Sequence, residues 1–401
     1  MAQTHLWVEQ IADANGITTA SATIEIPNQP KTTLWYRVPS QYGSLLTQSG
    51  DPFVVAMMLM SMYQRTNLVV HGEVSPSLLQ NLTEFQLAWS RWRPEKYKQI
   101  EIIADVEREQ PKAGTGKAIS TFSGGVDSCF TVLQHRKALC GKLQRNLQAG
   151  MMVHGFDIPL AQKDIFESAA AKSRKLLDSL GVELVPMATN FKEDIKLNWQ
   201  DSVAIAMGSC MMMLQKGYEQ GLIASTFPYQ ALVLPLGSNP LTDRLLSSNA
   251  FQIVHDGASH SRVEKIRELG GWKEALQDLR VCGQGQLLDR NCGRCEKCIR
   301  TILGFRVMGI GLPECFERDA TDEQIAGIKG LKGAQLADLD EVLKAAKAKN
   351  INGSWVTALE RCLRRHHYRA AVKNTLKRVK LVRQLKQMLD TTNSDMKVVA
   401  K

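Results

Sequence analysis

From Lys117 onward, short apolar runs alternate with segments whose apolar residues recur at helical spacing. The runs read AISTF, GMMVHGF, VELVPMA, GLIAST and FQIVHD, and patterns such as VDSCFTVLQHRKAL and DIFESAAAKSRKLLDSLG separate them. Strands that alternate with helices at this spacing predict a parallel sheet with helices on both faces. We therefore expect an α/β domain over residues 117–310.

The segment 1–112 has a different pattern. ATIEI and TLWYRV are typical of paired strands, and KQIEIIADVE is typical of a returning strand. These elements predict a separate, small α+β domain, with a boundary in EQPKAGTGK, 109–117, where Pro, Gly and Lys replace apolar residues. Beyond residue 311 the pattern indicates only helices, so we expect a helical, basic C-terminal region over 311–401.

The positive charge of the chain is concentrated at its C-terminal end. The 401 residues carry a formal net charge of +10, and residues 351–401 hold twelve Lys and Arg against three Asp and Glu. Within them, 359–389 has the pattern of a basic amphipathic helix. Such a helix suits an RNA backbone, an acidic protein or an anionic membrane surface, and it is equally consistent with a solvated helix face.

The distribution of apolar residues argues against a membrane-spanning protein. The longest dense apolar segment, FVVAMMLMSMY at 53–63, has eleven residues and is too short to cross a bilayer. No basic stretch followed by an apolar run opens the chain, so we expect a cytoplasmic protein. In that compartment, nine cysteines indicate metal or redox chemistry rather than a disulfide framework.

The stretch ISTFSGGVDSCFT, 119–131, has two glycines between a predicted strand and a predicted helix. It lacks the Lys of a Walker A loop and the third Gly of the dinucleotide-binding fingerprint. Glycines let the backbone approach phosphate oxygens, and a helix N-terminus presents free N–H groups. The residues are therefore consistent with a phosphate-binding loop or with an ordinary strand-to-helix turn.

The hexapeptide SGGVDS, 123–128, resembles the pyrophosphate loop of the N-type ATP pyrophosphatases, which split ATP between the α- and β-phosphates and transfer AMP to a substrate oxygen. The resemblance implies an adenine nucleotide alpha hydrolase-like fold, ATP as the nucleotide, and Mg²⁺ placed with the help of Asp127. It also implies adenine binding at the end of the second strand, VHGFD at 153–157, although these residues suit a buried strand equally well. The implied nucleotide-binding residues are Ser123, Gly124, Gly125, Val126, Asp127, Ser128, Gly155, Phe156 and Asp157.

Four of the nine cysteines lie close together in the chain. They follow the spacing C-x9-C-x2-C-x2-C, as Cys282, Cys292, Cys295 and Cys298. Four thiolates at this spacing can surround one tetrahedral ion, for which Zn²⁺ is the first choice, and an iron–sulfur cluster is the alternative. Because four protein ligands leave zinc no open position, we expect a structural clasp at the far end of the sheet.

The glycine loop and the cysteines together narrow the resemblance to the 7-cyano-7-deazaguanine synthase-like enzymes. Those enzymes adenylate a 7-deazaguanine carboxylate, admit ammonia to form an amide, and then activate and dehydrate the amide to a nitrile. The resemblance covers about half of the chain, 117–305. The N-terminal segment and the basic tail have no counterpart in it, and the segment 234–266 does not match its nucleobase-binding residues, so the substrate can differ even where the chemistry is shared.

Two predicted loops at the carboxyl ends of strands carry many polar residues. These loops, LGSNPLTDR at 236–244 and HDGASHSR at 255–262, lie where open parallel sheets bind ligands. Arg244 or Arg262 can clamp a carboxylate or phosphate, and His255 or Asp256 can deprotonate an amine. We therefore expect catalytic roles for Asp127, Arg262, His255 and Asp256, and substrate binding by Asn239, Asp243 and Arg244. Structural roles compete, since S-x-x-E at 261–264 is also a helix capping box.

The leading hypothesis is an AMP-forming ligase that uses ATP, Mg²⁺ and Zn²⁺ and activates a small-molecule carboxylate or a modified nucleobase for attack by ammonia or an amine. Three alternatives stay open. They are tRNA sulfur transfer through an iron–sulfur cluster, conjugation of a modified base to a protein amine, and a non-catalytic nucleotide-binding module. Assembly into a homo-oligomer also stays open.

Overall fold

The computed structural model describes residues 2–283, 288–331, 333–372 and 375, and its contacts divide the chain into two compact units, Met1–Asp319 and Ala320–Lys401. The first unit is built on one sheet. The strands described in it are β1 (Gln3–Val8), β2 (Ala12–Ala14), β3 (Ile17–Glu25), β4 (Thr32–Pro39), β5 (Asn67–Val74), β6 (Ile102–Glu107), β7 (Lys117–Thr121), β8 (Asn146–His154), β9 (Glu183–Thr189), β10 (Gln220–Ala224) and β11 (Gln252–Asp256).

Helices follow most of these strands. The α-helices described in the first unit are α1 (Asp51–Gln64), α2 (Pro76–Trp92), α3 (Val126–Arg136), α4 (Lys163–Asp178), α5 (Phe191–Asp194), α6 (Trp199–Met212), α7 (Arg262–Leu269), α8 (Lys273–Asp278) and α9 (Glu296–Met308). Among the described helices of the chain, none combines the length and the apolar character that crossing a bilayer requires.

The strand order across the sheet is β11-β10-β7-β8-β9-β4-β3-β1-β5-β6, with β2 paired to β3. The five strands β7–β11 are parallel to one another, as the alternating pattern predicts. The first strand of this group, β7, lies at its centre, between β8 and β10. The mixed α/β architecture with a largely parallel central sheet is thus confirmed.

Both faces of the parallel half are covered. Ala149 and Met151 of β8 belong to the same buried cluster as the apolar residues of α1 and α6. Gly150, which lies between them and so faces the other way, is closely approached by Leu177 of α4: a Cβ on Gly150 would lie 2.8 Å from Leu177 Cδ1. The helices therefore pack on opposite faces, as the sequence predicts.

The N-terminal segment joins the same sheet. β4 pairs antiparallel with β9, with Tyr36 opposite Thr189 and Arg37 opposite Ala188. This pairing continues one hydrogen-bonded sheet across the boundary that we expect at 109–117. The segment 1–112 is consequently part of the first compact unit rather than a unit of its own.

The second unit is helical where it is described. It contains α10 (Asp322–Gly327), α11 (Gly333–Ala348) and a further helix over 354–372. Leu339, Leu359 and Leu363 are buried in it. The segment predicted as a basic amphipathic helix, 359–389, is described only at 359–372 and 375, and the rest of it lies outside the described residues.

Candidate functional site

The glycine loop, 123–128, connects β7 to α3 in a tight turn. Gly124 has φ +73°, a left-handed conformation that favours glycine, and Gly125 is the N-cap of α3. The Ser128 hydroxyl accepts a hydrogen bond from the Ser123 N–H at 3.3 Å and donates one to the Gly125 carbonyl at 3.2 Å. The loop therefore folds back over the first turn of α3, whose N-terminus carries partial positive charge.

Asp127, in the first turn of α3, forms two ion pairs with residues of α7. Its carboxylate lies 3.3 Å from Arg262 Nη1 and 3.1 Å from Lys265 Nζ. Burial alone would raise the pKa of Asp127, but the nearby Lys265 ammonium and Arg262 guanidinium outweigh it and hold the pKa below its ordinary value. Asp127 is therefore an anion locked between two cations.

Lys265 is the residue of this group that the sequence interpretation missed. It is 1% exposed, and its ammonium also donates to the Ser225 carbonyl just after β10. The helix α7 starts with the predicted capping box, Ser261 and Glu264. The signal in the sequence was the spacing: Lys265 follows Arg262 by three residues, so both lie on one helix face.

A cavity of about 290 Å³ opens beside the glycine loop. It lies at the carboxyl ends of β7, β8 and β10, where the chain order across the sheet reverses between β7 and β10. Ligands bind at such points in open parallel sheets. The residues lining the cavity are Thr121, Phe122, Ser123, Asp127, Ser128, Met151, Met152, Val153, Phe156, Asp157, Ile158, Trp199, Val203, Met207, Ala224, Thr226, Arg280 and Lys297.

The lining of the cavity combines two kinds of chemistry. Ser123, Ser128 and the charged residues make its polar part, whereas the rings of Phe156 and Trp199, with centroids 5.1 Å apart, form part of an apolar wall. The Lys192 ammonium lies 5.0 Å from the centroid of the Trp199 ring. Such a wall suits a planar ring, and the polar part suits an anion.

The end of β8 turns sharply into this cavity. Gly155 has φ +103°, and a Cβ there would lie 2.1 Å from the Thr189 carbonyl oxygen, so only glycine fits. The turn directs Phe156 and Asp157 toward the lining. Asp157 forms an ion pair with Arg280 at 3.6 Å. The predicted nucleotide-binding residues Phe156 and Asp157 thus share one cavity with the glycine loop.

Arg280 was not singled out by the sequence interpretation. Its guanidinium donates to the Ser123 carbonyl at 3.1 Å and to the Leu288 carbonyl at 3.0 Å, and its backbone N–H donates to the Gly124 carbonyl at 2.7 Å. A buried cation is therefore bonded directly to the glycine loop. No local pattern around Arg280 indicates this contact.

Two of the predicted substrate residues, Asn239 and Asp243, lie in a bonded network away from the cavity lining. Asp243 is fully buried and accepts hydrogen bonds from the Asn239 N–H at 2.9 Å and the Ser238 hydroxyl at 2.8 Å. His255 Nδ1 lies 2.8 Å from the Asp243 carboxylate. Arg244 is exposed at the surface. These contacts brace the loop after β10, and substrate binding by these residues stays a prediction.

Asp256 is also bound within the protein. Its carboxylate accepts a hydrogen bond from Thr131 at 2.7 Å and lies 3.2 Å from His135 Nε2. His135 Nδ1 accepts from the Arg145 N–H, so the proton sits on Nε2 and points to Asp256. Burial would raise the pKa of Asp256, but His135, Thr131 and Lys265 outweigh it and lower the pKa. Of the predicted catalytic residues, Asp127 and Arg262 are together, and His255 and Asp256 are held elsewhere.

The four predicted metal ligands come together. The sulfurs of Cys282, Cys292, Cys295 and Cys298 all lie within 4.8 Å of one another, with Cys282 to Cys295 at 3.7 Å and Cys292 to Cys298 at 3.8 Å. Asn291 Oδ1 holds the arrangement by accepting hydrogen bonds from the backbone N–H groups of Val281 and Cys282. This four-cysteine cluster can hold one metal ion such as zinc.

No protein-family model matches the chain, and neither a curated protein nor a solved structure shows significant similarity to it. The geometry of the cavity and of the four-cysteine cluster is therefore what supports a function.

Proposed function

We propose that this protein is an ATP-dependent, AMP-forming ligase. In this proposal it adenylates a carboxylate, releases pyrophosphate, and passes the acyl group to ammonia or an amine. The observation that supports it most is the joint presence, around one cavity, of the glycine loop at the N-terminus of α3 and of the cations Arg280 and Lys297. This combination suits the phosphates of a nucleotide.

The charges around the cavity favour an anionic ligand. Four cations, Arg262, Lys265, Arg280 and Lys297, lie near three carboxylates, those of Asp127, Asp157 and Asp256. The excess positive charge is positioned before any ligand arrives, and such preorganised charge stabilises the negative charge that develops on departing pyrophosphate. When bound, Mg²⁺ neutralises part of the phosphate charge.

The apolar wall supports a planar group in the same cavity. Phe156 and Trp199 offer ring faces, and Met207 also lines the cavity. An adenine or a deazaguanine-type ring packs well on such a surface. Because the wall and the glycine loop share one cavity, the ring and the phosphate-binding groups belong to one site.

Zinc is the metal that we propose for the four-cysteine cluster. A tetrahedral ion with bonds of about 2.3 Å to sulfur holds its ligands about 3.8 Å apart. Two of the observed sulfur separations, 3.7 and 3.8 Å, match that edge length, and the others lie within 4.8 Å. In an iron–sulfur cluster the four thiolates are divided among two or four irons, and those on different irons stand farther apart. This geometry favours zinc, and with it the ligase over sulfur transfer through a cluster.

The test is a product analysis of ATP turnover with candidate acids, beginning with 7-carboxy-7-deazaguanine. We expect AMP and pyrophosphate in equal amounts. Ser123→Ala should lower kcat/KM by about ten- to a hundredfold, since it removes a hydroxyl that lines the cavity. The matched control is Ser44→Ala, at an exposed position distant from Ser123 in the sequence, and its kcat/KM should equal that of the wild type. ADP as the product, or equal loss in both variants, would contradict the proposal.

A further inference from the structure

The segment that leads into the four-cysteine cluster is bonded to the glycine loop, so the cluster is not at the far end of the sheet, where we expected a clasp. The chain enters the cluster through Arg280, two residues before Cys282, and Arg280 is bonded to the carbonyls of Ser123 and Gly124. The chain leaves the cluster through α9, whose N-cap is Cys295. Both sides of the cluster therefore lead to the cavity.

Lys297 stands between two of the metal ligands, Cys295 and Cys298, and lines the cavity. No hydrogen bond or ion pair joins its ammonium to another side chain in the part of the chain that the structure describes. By contrast, Arg262 and Lys265 are engaged by Asp127, and Arg280 by the loop and Asp157. Lys297 is thus a cation that faces the cavity and is ready to meet an anion there.

A second contact connects α9 to the same site. The Thr301 hydroxyl, one turn after Lys297, donates to the Lys297 carbonyl at 2.8 Å and accepts from Arg262 Nη2 at 2.9 Å. Close packing of α9 on α7 permits this contact: a Cβ on Gly304 would lie 2.4 Å from Ile266 Cδ1. The position of the first turns of α9 therefore bears on Arg262 as well as on Lys297.

We propose that Lys297 is a pyrophosphate-contacting residue and that the metal in the four-cysteine cluster positions it. The metal joins Cys282 and Cys292 to the first turn of α9 and so fixes where the Lys297 ammonium enters the cavity. This inference rests on the proposed function and adds a role for the metal in ligand binding.

The experiment measures the affinity of the full-length, metal-loaded protein for inorganic pyrophosphate by calorimetry, with metal content determined before and after. Lys297→Ala should weaken binding by about ten- to a hundredfold, the effect of one charged hydrogen bond. Lys297→Arg should recover most of the affinity. The matched control is Arg294→Ala, which removes the same charge from an exposed position within the same cysteine segment. The control should bind as the wild type does.

Removing the metal tests the positioning role. The metal-free wild type should lose at least as much affinity as Lys297→Ala, and Lys297→Ala should lose little more when its own metal is removed. Wild-type affinity in Lys297→Ala, equal losses in Lys297→Ala and Arg294→Ala, or full affinity in the metal-free protein would overturn the inference. If the metal-free chain unfolds, the inference is decided by Lys297→Ala and Arg294→Ala alone, since both variants keep all four thiols.

Failure of this inference is distinct from failure of the proposed function. A protein that converts ATP to AMP and pyrophosphate, yet binds pyrophosphate equally well without Lys297, retains the function and loses the inference. A protein that binds pyrophosphate through Lys297 but releases none from ATP retains the inference and loses the function.

Discussion

Lys265→Met replaces a buried ammonium with an uncharged side chain of similar length. The wild-type side chain is 1% exposed, and its Nζ lies 3.1 Å from the Asp127 carboxylate. It also donates to the Ser225 carbonyl, at the carboxyl end of β10. Methionine keeps the packing but removes both interactions, so the substitution isolates the contribution of the charge.

The expected loss of unfolding free energy follows from the two groups that lose Lys265 as a partner, the Asp127 carboxylate and the Ser225 carbonyl. Removing one member of a buried ion pair costs about 3–5 kcal/mol, because the partner charge is left uncompensated. Here Arg262 stays 3.3 Å from Asp127 and still compensates it. The Ser225 carbonyl loses a donor, which costs about 1–3 kcal/mol. We therefore expect the free energy of unfolding to fall by about 3 kcal/mol, the lower end of the range.

The assay is urea unfolding followed by far-ultraviolet circular dichroism. The control is Lys273→Met, at the exposed first residue of α8, which should change the unfolding free energy by less than about 0.5 kcal/mol. The difference between Lys265→Met and wild type should shrink on acidification. The folded-state pKa of Asp127 is depressed, so its charged interactions stabilise the protein above the unfolded-state pKa and are lost as pH falls through the folded-state pKa. Equal urea midpoints for Lys265→Met and wild type at neutral pH would refute the reasoning.

Three further outcomes are expected. Gly155→Ala should lower the free energy of unfolding by about 3 kcal/mol or more, because the new Cβ would meet the Thr189 carbonyl. The control is Gly114→Ala, also at positive φ but with nothing near its Cβ, which should cost only about 1 kcal/mol. Similar losses for both variants in urea unfolding would contradict the clash at Gly155. Burial raises the pKa of Asp51 to about 6 despite hydrogen bonds from Ser75. This group stabilises the fold fully below its unfolded-state pKa of about 3.9, and the contribution is lost as pH rises through about 6. The unfolding free energy of wild type relative to Asp51→Asn should thus fall by about 3 kcal/mol from acid to neutral pH, and a flat difference would contradict the shifted pKa. Finally, a strong chelator should lower the unfolding temperature and added Zn²⁺ should restore it, while a temperature unmoved after complete metal loss would show that the four-cysteine cluster does not depend on metal.

Local features of the fold were predictable because they depend on short stretches of chain. Apolar runs and helical periods over 117–256 correspond to the parallel strands β7–β11 and the helices between them. The glycine loop lies at a strand-to-helix junction, as its residues predict, and the spacing of the cysteines brings the four sulfurs together. Each of these signals spans fewer than twenty residues, so the chain between the interacting groups is short.

Contacts between distant segments were not predictable in the same way. The pairing of β4 with β9 joins residues about 150 positions apart, and no local pattern distinguishes it from a domain boundary. Likewise, the polar residues after β10 resemble a binding loop in the sequence. Only the contacts of Asp243, with Asn239 and His255, reveal that they also brace the loop.

By itself, the sequence determined the order of strands and helices, the position of the glycine loop and the four cysteines able to share one ion. Tertiary structure alone decided which charges surround Asp127, because Arg262, Lys265 and Lys297 come from segments that follow it by 135 to 170 residues along the chain. A Lys or Arg in a sequence looks like a solvated surface residue until the fold shows what covers it. Here the parallel sheet brings the carboxyl ends of its strands to one edge, and the helices that return to that edge place their cations around one carboxylate.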